Sequence, residues 1–173
     1  MLTQSKFEKV SYEQFEKDFE KNINSILKTT KYNKDEIRQI YNNIELPSRS
    51  THKSAGYDFK LPMTWTFKPN SEYVIPTGIR CVNMEDDTVL MMYARSGLGF
   101  KHGFVPKNVV GVIDADYAEA DNEGHIMMCM VNKDNEFTIE QGKGFCQGIF
   151  QFFMTTGTDM VTRKRSGGFG STG

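Results

Sequence analysis

Asp114 and Asp116 stand two residues apart, directly after the apolar run 109–113. A carboxylate delivered by the end of an apolar strand sits where burial and neighbours can tune a general base, one that takes the proton of an attacking water. The same pair would suit a two-carboxylate metal site, or a β-turn in which Asp is a usual resident. Upstream, Ala94-Arg95-Ser96-Gly97-Leu98 continues to Lys101 and Gly103. A Ser-Gly step exposes backbone N–H groups and a hydroxyl, and Arg95 and Lys101 add cationic donors, a set fit for a phosphate oxyanion. Taken alone, a turn carrying solvated charges explains it as well. At the far end Arg165 leads into Ser166-Gly167-Gly168-Phe169-Gly170-Ser171-Thr172-Gly173. This is not a P-loop, because no Lys precedes the Ser/Thr and no strand–helix frame surrounds it. Its glycines, hydroxyls and Arg165 could close over a triphosphate while Phe169 stacks on a base; composition alone describes a flexible end. Two further segments say less by themselves: Ser54-Ala55-Gly56-Tyr57-Asp58 reads as a strand entry, and Gly144-Phe145-Cys146-Gln147-Gly148 as a strand with one polar residue.

The elements that must position these groups are mostly strands. Runs rich in β-branched, aromatic and methionine residues recur over 73–75, 89–93, 109–113, 126–131, 137–139 and 149–153, divided by Gly, Pro, Asn and Asp clusters. That is the pattern of an all-β sandwich or barrel, and the lack of intervening helix-length periods disfavours a parallel α/β sheet. The first quarter differs. Ser11 and Gln14 form a capping box, and Tyr12, Phe15, Phe19, Ile23, Ile26 and Leu27 follow at spacings of three and four. Asn33 and Glu36 form a second cap, after which Ile37, Ile40, Tyr41 and Ile44 keep the helical spacing until Pro47 stops it. Two amphipathic helices are expected over 12–44, with 7–10 a short strand before them.

The bulk composition restricts the functions available. With 173 residues, 38% hydrophobic and 25% charged, the chain can bury a sizeable core. A net charge of −1 offers no basic field for a nucleic-acid polymer, so phosphate binding must come from local groups. No apolar run is long enough to span a bilayer, and the N-terminus lacks the apolar stretch of a secretory signal. Cys81, Cys129 and Cys146 are odd in number and widely spaced, which favours three buried thiols in a reducing, cytoplasmic setting over a disulfide framework or a zinc site.

In order, these five segments resemble the five motifs of the homotrimeric dUTPase family, over 54–173. The resemblance implies a mainly β fold, a jelly-roll-like β-barrel or sandwich with the 12–44 helices inserted near the N-terminus. It implies one domain over 1–173 that ends in a Gly-rich arm, 163–173. It also implies a homotrimer whose three active sites are each assembled from three subunits. The implied activity is Mg²⁺-dependent hydrolysis of dUTP to dUMP and pyrophosphate, which limits uracil incorporation into DNA and supplies dUMP for dTMP synthesis. Asp114 matches the general base that activates water against the α-phosphate. Tyr117 matches the residue packed on the deoxyribose that discriminates against a 2′-hydroxyl. Asn108 matches the asparagine near the uracil edge, where backbone of the same hairpin, Gly111 included, reads the base. Ser96 matches the phosphate-contacting serine, with Arg95 and Gly97 shaping its loop, and Gln147 matches the glutamine at the phosphates. Arg165, Phe169, Gly170, Ser171 and Thr172 match the arm that closes over the nucleotide. The metal is expected to be held by phosphates and water with no direct protein ligand, Asp58 reaching its water shell.

The chain departs from the family pattern in three places. Arg165 lies one residue closer to its GGFG than the commonest spacing, so Lys164 or Arg163 could share its role. The run 118–125, with its Asn122-Glu123-Gly124-His125-Ile126, is longer than the usual hairpin end and resembles a bacterial and phage subgroup. The helical region has no counterpart in the minimal pattern; its apolar faces are expected to pad the barrel or trimer edge, a protein-docking surface being the alternative. Among rivals, dCTP deaminase shares the fold but places a catalytic Glu three residues before an Asn at a strand end. Here that position, three before Asn132, is Cys129, which cannot serve as that base. A nucleotide-sensing binding protein, whose site gates the helices, is the rival from another class.

Overall fold

Period-two patterning builds the sheets. In the computed structural model, which describes residues 5–24, 27, 31–163, 165 and 167, alternate residues of the long strands turn inward: Leu90 and Met92 from one, Met128, Met130 and Asn132 from another. The strands run β1 (Lys6–Lys9), β2 (Ser48–Arg49), β3 (Tyr57–Lys60), β4 (Trp65–Phe67), β5 (Ser71–Pro76) and β6 (Ile79–Val82). They continue through β7 (Thr88–Ala94), β8 (Val105–Pro106), β9 (Gly111–Ile113), β10 (Met127–Asn132), β11 (Phe137–Ile139) and β12 (Gly144–Phe152). The largest sheet has the order β2-β3-β12-β7-β9; β5-β10-β8, β1-β6 and β4-β11 form the others. All described pairings are antiparallel. The mainly β class expected from the sequence is the one found.

Two helices, α1 (Tyr12–Phe19) and α2 (Lys34–Asn42), come between β1 and β2, with a π-helical turn at Glu20–Asn24 extending α1. Because β1 pairs with β6 in the barrel before the chain enters the helices, they are an insertion in topology as well as in sequence. Their apolar stripes carry Phe15, Phe19, Ile23, Ile37 and Ile40 into the same core as Phe59, Leu90 and Met92. The apolar stripes of both helices are therefore buried in this core; Ile26 lies outside the described residues.

Local expectations fare unevenly. Asn33 and Glu36 form a full reciprocal capping box. Ser11 caps α1 by accepting from Gln14 N at 3.1 Å, but the Gln14 amide turns to Asp18 at 2.8 Å instead of back to the cap. Glu123, 112 residues away, supplies the reciprocal half through Ser11 N at 2.7 Å and Ser11 Oγ at 2.6 Å. The run 109–113 contributes only Gly111–Ile113 to a strand, because 108–110 is a tight turn: Val110 N reaches Asn108 O at 2.7 Å, and Val109 has φ 68° with its side chain exposed. The run 149–153 is the end of β12, which begins at Gly144 and is paired on both sides, so a Gly/Gln-containing segment becomes a central strand. Cys81 and Cys146 are buried as expected, whereas Cys129 is half-buried.

Candidate active site

The first, second and fourth motifs converge on one guanidinium. β3 carries Asp58, β7 runs directly into Arg95, and β12 lies hydrogen-bonded between them. Asp58 Oδ1 holds Arg95 Nε at 3.0 Å, and Ser50 Oγ donates to Asp58 Oδ2 at 2.8 Å. Arg95 Nη1 donates to Gly144 O at 3.1 Å. A Cβ on Gly144 would stand 2.8 Å from Arg95 Nη1, so a larger residue there would push the guanidinium out of its present position across the strand. Gln147 Nε2 donates to Ala94 O at 3.1 Å, tying β12 to the residue before Arg95. The Ser96 loop, expected as a turn, is a short helix, α3 (Ser96–His102), with Arg95 at its N-cap. Ser96 and Gly97 thus occupy the first turn, where N–H groups have no intrahelical acceptor. A Cβ on Gly97 would meet nothing within 4 Å, so this glycine serves no internal packing. Arg95, Ser96, Gly97, Lys101, Lys143 and Gly144 line a cleft of about 540 Å³.

The third motif and the last segment meet at a second cleft. β9 ends at Ile113, Asp114 caps a 3₁₀ turn (Ala115–Glu119), and Tyr117 N bonds back to Asp114 O at 3.1 Å. Arg165 reaches both carboxylates: Nη2 pairs with Asp114 and Nε with Asp116 at 2.9 Å. Its guanidinium also lies 5.5 Å from the centre of the Tyr117 ring. Burial works against the charge of Arg165, but the bond it donates to Asp116 and the two carboxylate charges outweigh it and hold the guanidinium's pKa above its ordinary value. Asp114 is 51% exposed, less buried than its place after an apolar strand suggested, and faces a cleft of about 680 Å³ shared with Arg80, Asp86, Glu119 and Phe153. Tyr117 is buried, and that burial raises its phenol above the ordinary range.

Asn108 and Gly111 flank a third recess of about 600 Å³, walled by Val74, Ile113, Met127, Met128 and Cys129. Apolar walls with a few polar groups at the edge suit a flat heterocycle. The half-buried Cys129 thiol stands in this wall, where the deaminase pattern required a carboxylate. Lys21 also lines it, brought from the helical insertion, which the sequence pattern gave no reason to expect. Among the residues singled out in the sequence, Phe169, Gly170, Ser171 and Thr172 lie outside the described residues, as does Lys164, while Arg163 is exposed. No described cleft joins the Arg95–Ser96 group to Asp114: within one chain they line separate clefts. Sequence reasoning did not single out Asn122 and His125 as site residues, though their bonds hold Tyr117; the signal was Asn, Asp, Glu and His packed together into the long 118–125 run.

With this geometry in view, likeness to known proteins is informative. Residues 42–173 match the family model for dUTPase. A deoxyuridine 5'-triphosphate nucleotidohydrolase of Lactococcus lactis is 46% identical over 134 residues, spanning 75% of this chain and 89% of its own length. That of Hahella chejuensis is 36% identical over 144 residues, spanning 79% and 91%. Among solved structures, the dUTPase from Streptococcus mutans superimposes with a TM-score of 0.59 at 37% identity, covering 66% of this chain and 89% of its own. A point mutant of the Staphylococcus bacteriophage 80alpha dUTPase, solved with dUpNHpp, shares the fold with a TM-score of 0.58 at 20% identity, covering 70% of this chain and 91% of its own. By the family match over most of its length, the chain belongs to the dUTPase family.

Proposed function

We propose that the chain hydrolyses dUTP to dUMP and pyrophosphate, with water attacking the α-phosphate and Asp114 taking its proton. The observation that carries this reading is the Asp114–Arg165 pair: a half-exposed carboxylate lining a cleft and paired with a cation from the last segment of the chain. The base sits in the Asn108–Gly111 recess, the deoxyribose against Tyr117, and the phosphates on the Ser96–Gly97 turn with Arg95, Gln147 and Lys101 nearby. Fixed donors there stabilise charge that gathers on the departing pyrophosphate. Because Asp114 and Ser96 line separate clefts of one chain, a homotrimer in which neighbouring copies complete each site accounts for both. The arm 163–173 closes the site, its Phe169 stacking on the base and its Gly170, Ser171 and Thr172 meeting the phosphates. The chain acts as one domain in a reducing, cytoplasmic setting, to which its free thiols are suited.

The donor set also bears on magnesium. Among the described residues no group of three or more His, Cys, Asp or Glu side chains could hold a metal ion. Asp114 and Asp116 are engaged with Arg165, and Asp58 with Arg95 and Ser50. This fits Mg²⁺ carried in on the substrate phosphates with its waters; Asp58, held beside Arg95 and Ser50, would meet only that water shell and not the ion itself. When bound, the ion would polarise the triphosphate and neutralise its charge.

The test is pyrophosphate release from dUTP, dTTP, dCTP and UTP with Mg²⁺, comparing the wild type with Asp114→Asn. The expected result is turnover confined to dUTP and abolished in the variant. Equal turnover of all four, or an unaffected variant, overturns the reading.

A further inference from the structure

The chain between Tyr117 and β10 is held by the helical insertion, and it in turn holds Tyr117. The phenol donates to His125 O at 3.1 Å and accepts from Asn122 Nδ2 at 3.0 Å. The loop bearing these groups turns through two successive left-handed residues, Glu123 at φ 58° and Gly124 at φ 72°. At Gly124 a Cβ would lie 2.6 Å from Ala118 Cα and 2.8 Å from Tyr117 O, so the loop is pressed against the 3₁₀ turn itself. A glutamate in the left-handed region is costly and persists only where its surroundings over-determine it.

Those surroundings are α1. The Glu123 carboxylate takes both the backbone N–H and the hydroxyl of Ser11 at the helix N-terminus, where a negative charge is favoured. Seven residues on, Asp18 sits 2.6 Å from Nδ1 of the fully buried His125 and accepts from Gln14 Nε2 at 2.8 Å. Gly78 N donates to His125 Nε2 at 2.8 Å, which assigns the ring proton to Nδ1 and makes Asp18 its acceptor. Phe15 packs beside the same ring, 6.2 Å between centres. The insertion therefore grips the loop at two points, and both grips lie within three residues of Asn122.

We propose that the helical insertion is a positioning element for sugar recognition: Asp18 and Ser11, through His125 and Glu123, fix the Tyr117 ring, and so set the preference for dUTP over UTP. This rests on Tyr117 being the residue that faces the sugar. The physical basis is narrow clearance. A 2′-hydroxyl is excluded only if the ring holds its place to within a fraction of its van der Waals contact, and releasing the loop frees the ring to yield. The deoxy substrate, which needs no exclusion, loses little.

The experiment compares kcat/KM for dUTP and UTP in the full-length wild type, Asp18→Ala, Asp18→Asn and Ser11→Ala, with folding and oligomeric state checked for each. Asp18→Ala leaves the His125 N–H without its acceptor; it is expected to lower the dUTP/UTP ratio of kcat/KM by roughly tenfold, with kcat on dUTP changed by less than about threefold. Asp18→Asn keeps an acceptor oxygen and is expected to restore most of the ratio. A purely structural role would reduce the active fraction for both substrates alike and leave the ratio unmoved, and that result in a folded Asp18→Ala enzyme overturns the proposal. Should Asp18→Ala fail to fold, Ser11→Ala decides, since it removes one side-chain cap at a helix end and no buried group. A lowered ratio there supports the coupling, and a wild-type ratio refutes it. A wild type that does not turn over dUTP overturns the functional reading instead, and this proposal falls with it.

Discussion

Replacing Arg165 with Gln removes a cation that three groups share. Its Nη2 pairs with Asp114, its Nε bonds Asp116 at 2.9 Å, and its plane lies 5.5 Å from the Tyr117 ring centre. Arg165 itself is 11% exposed, but Asp114 and Asp116 are 51% and 47% exposed, so solvent screens both pairs and each contributes about 0.5–1 kcal/mol. The guanidinium over the ring adds about 0.5–1 kcal/mol. The sum, about 1.5–3 kcal/mol, corresponds to roughly a ten- to hundredfold fall in kcat/KM for dUTP if these contacts hold the closing segment over the substrate. Lys at the same position keeps the charge but cannot fork to two carboxylates, so it should recover only part of the loss. Steady-state pyrophosphate release at two salt concentrations is the assay. Because both pairs are screened, the wild-type advantage over Arg165→Gln should shrink at high salt. An Arg165→Gln enzyme within twofold of wild type at low salt would refute the assignment of Arg165 as the anchor of the arm.

Three further outcomes are expected. Phe15→Ala empties a fully buried site between Phe19, Tyr41 and Gly78, and should cost about 3–5 kcal/mol by urea denaturation at fixed protein concentration; a loss below about 1 kcal/mol would mean the insertion is not part of the cooperative core. Burial opposes the charges of Asp18 and Glu123, yet His125 and Gln14 in one case and Ser11 in the other outweigh it and hold both carboxyls below their ordinary values. Their contribution is thus present above the ordinary carboxyl range and disappears as pH falls through the lowered folded values; Asp18→Asn/Glu123→Gln should lose less stability than wild type on acidification, and parallel losses would count against it. Finally, Cys129 should react with a thiol reagent before Cys146, whose complete burial pushes its thiol well up, and dUMP should slow the Cys129 reaction. Labelling of Cys129 unaffected by saturating dUMP would displace the base from the recess beside Asn108.

Much of the molecule is legible before any coordinates. Runs rich in β-branched, aromatic and methionine residues mark β5, β7, β9, β10, β11 and the end of β12, because such side chains fit a pleated, half-buried surface, and leave β2, β4, β6 and β8 unmarked. Spacings of three and four place both helices, and the Asn33–Glu36 box is local chemistry that closes within one turn. Gly and Gln obscure β12, and a β-branched residue at φ 68° misleads at Val109, since turn geometry there overrides propensity. The five motifs identify the candidate groups for the same reason the family is recognisable: each requires particular donors at fixed short spacings.

What the linear chain leaves undecided are the bonds between distant segments. Nothing near Ser11 announces that its capping partner is Glu123, or that Asp18 accepts the His125 proton 107 positions on. Nor does any spacing show that the Arg95 guanidinium lies against Gly144. These pairings depend on which faces the sheets and helices bury against one another, a global outcome of packing that local periodicity does not encode. Local patterning sets the kinds of elements and the groups able to do chemistry. Long-range packing is what makes the helical insertion, expected as padding with a docking surface as the alternative, grip the loop behind Tyr117.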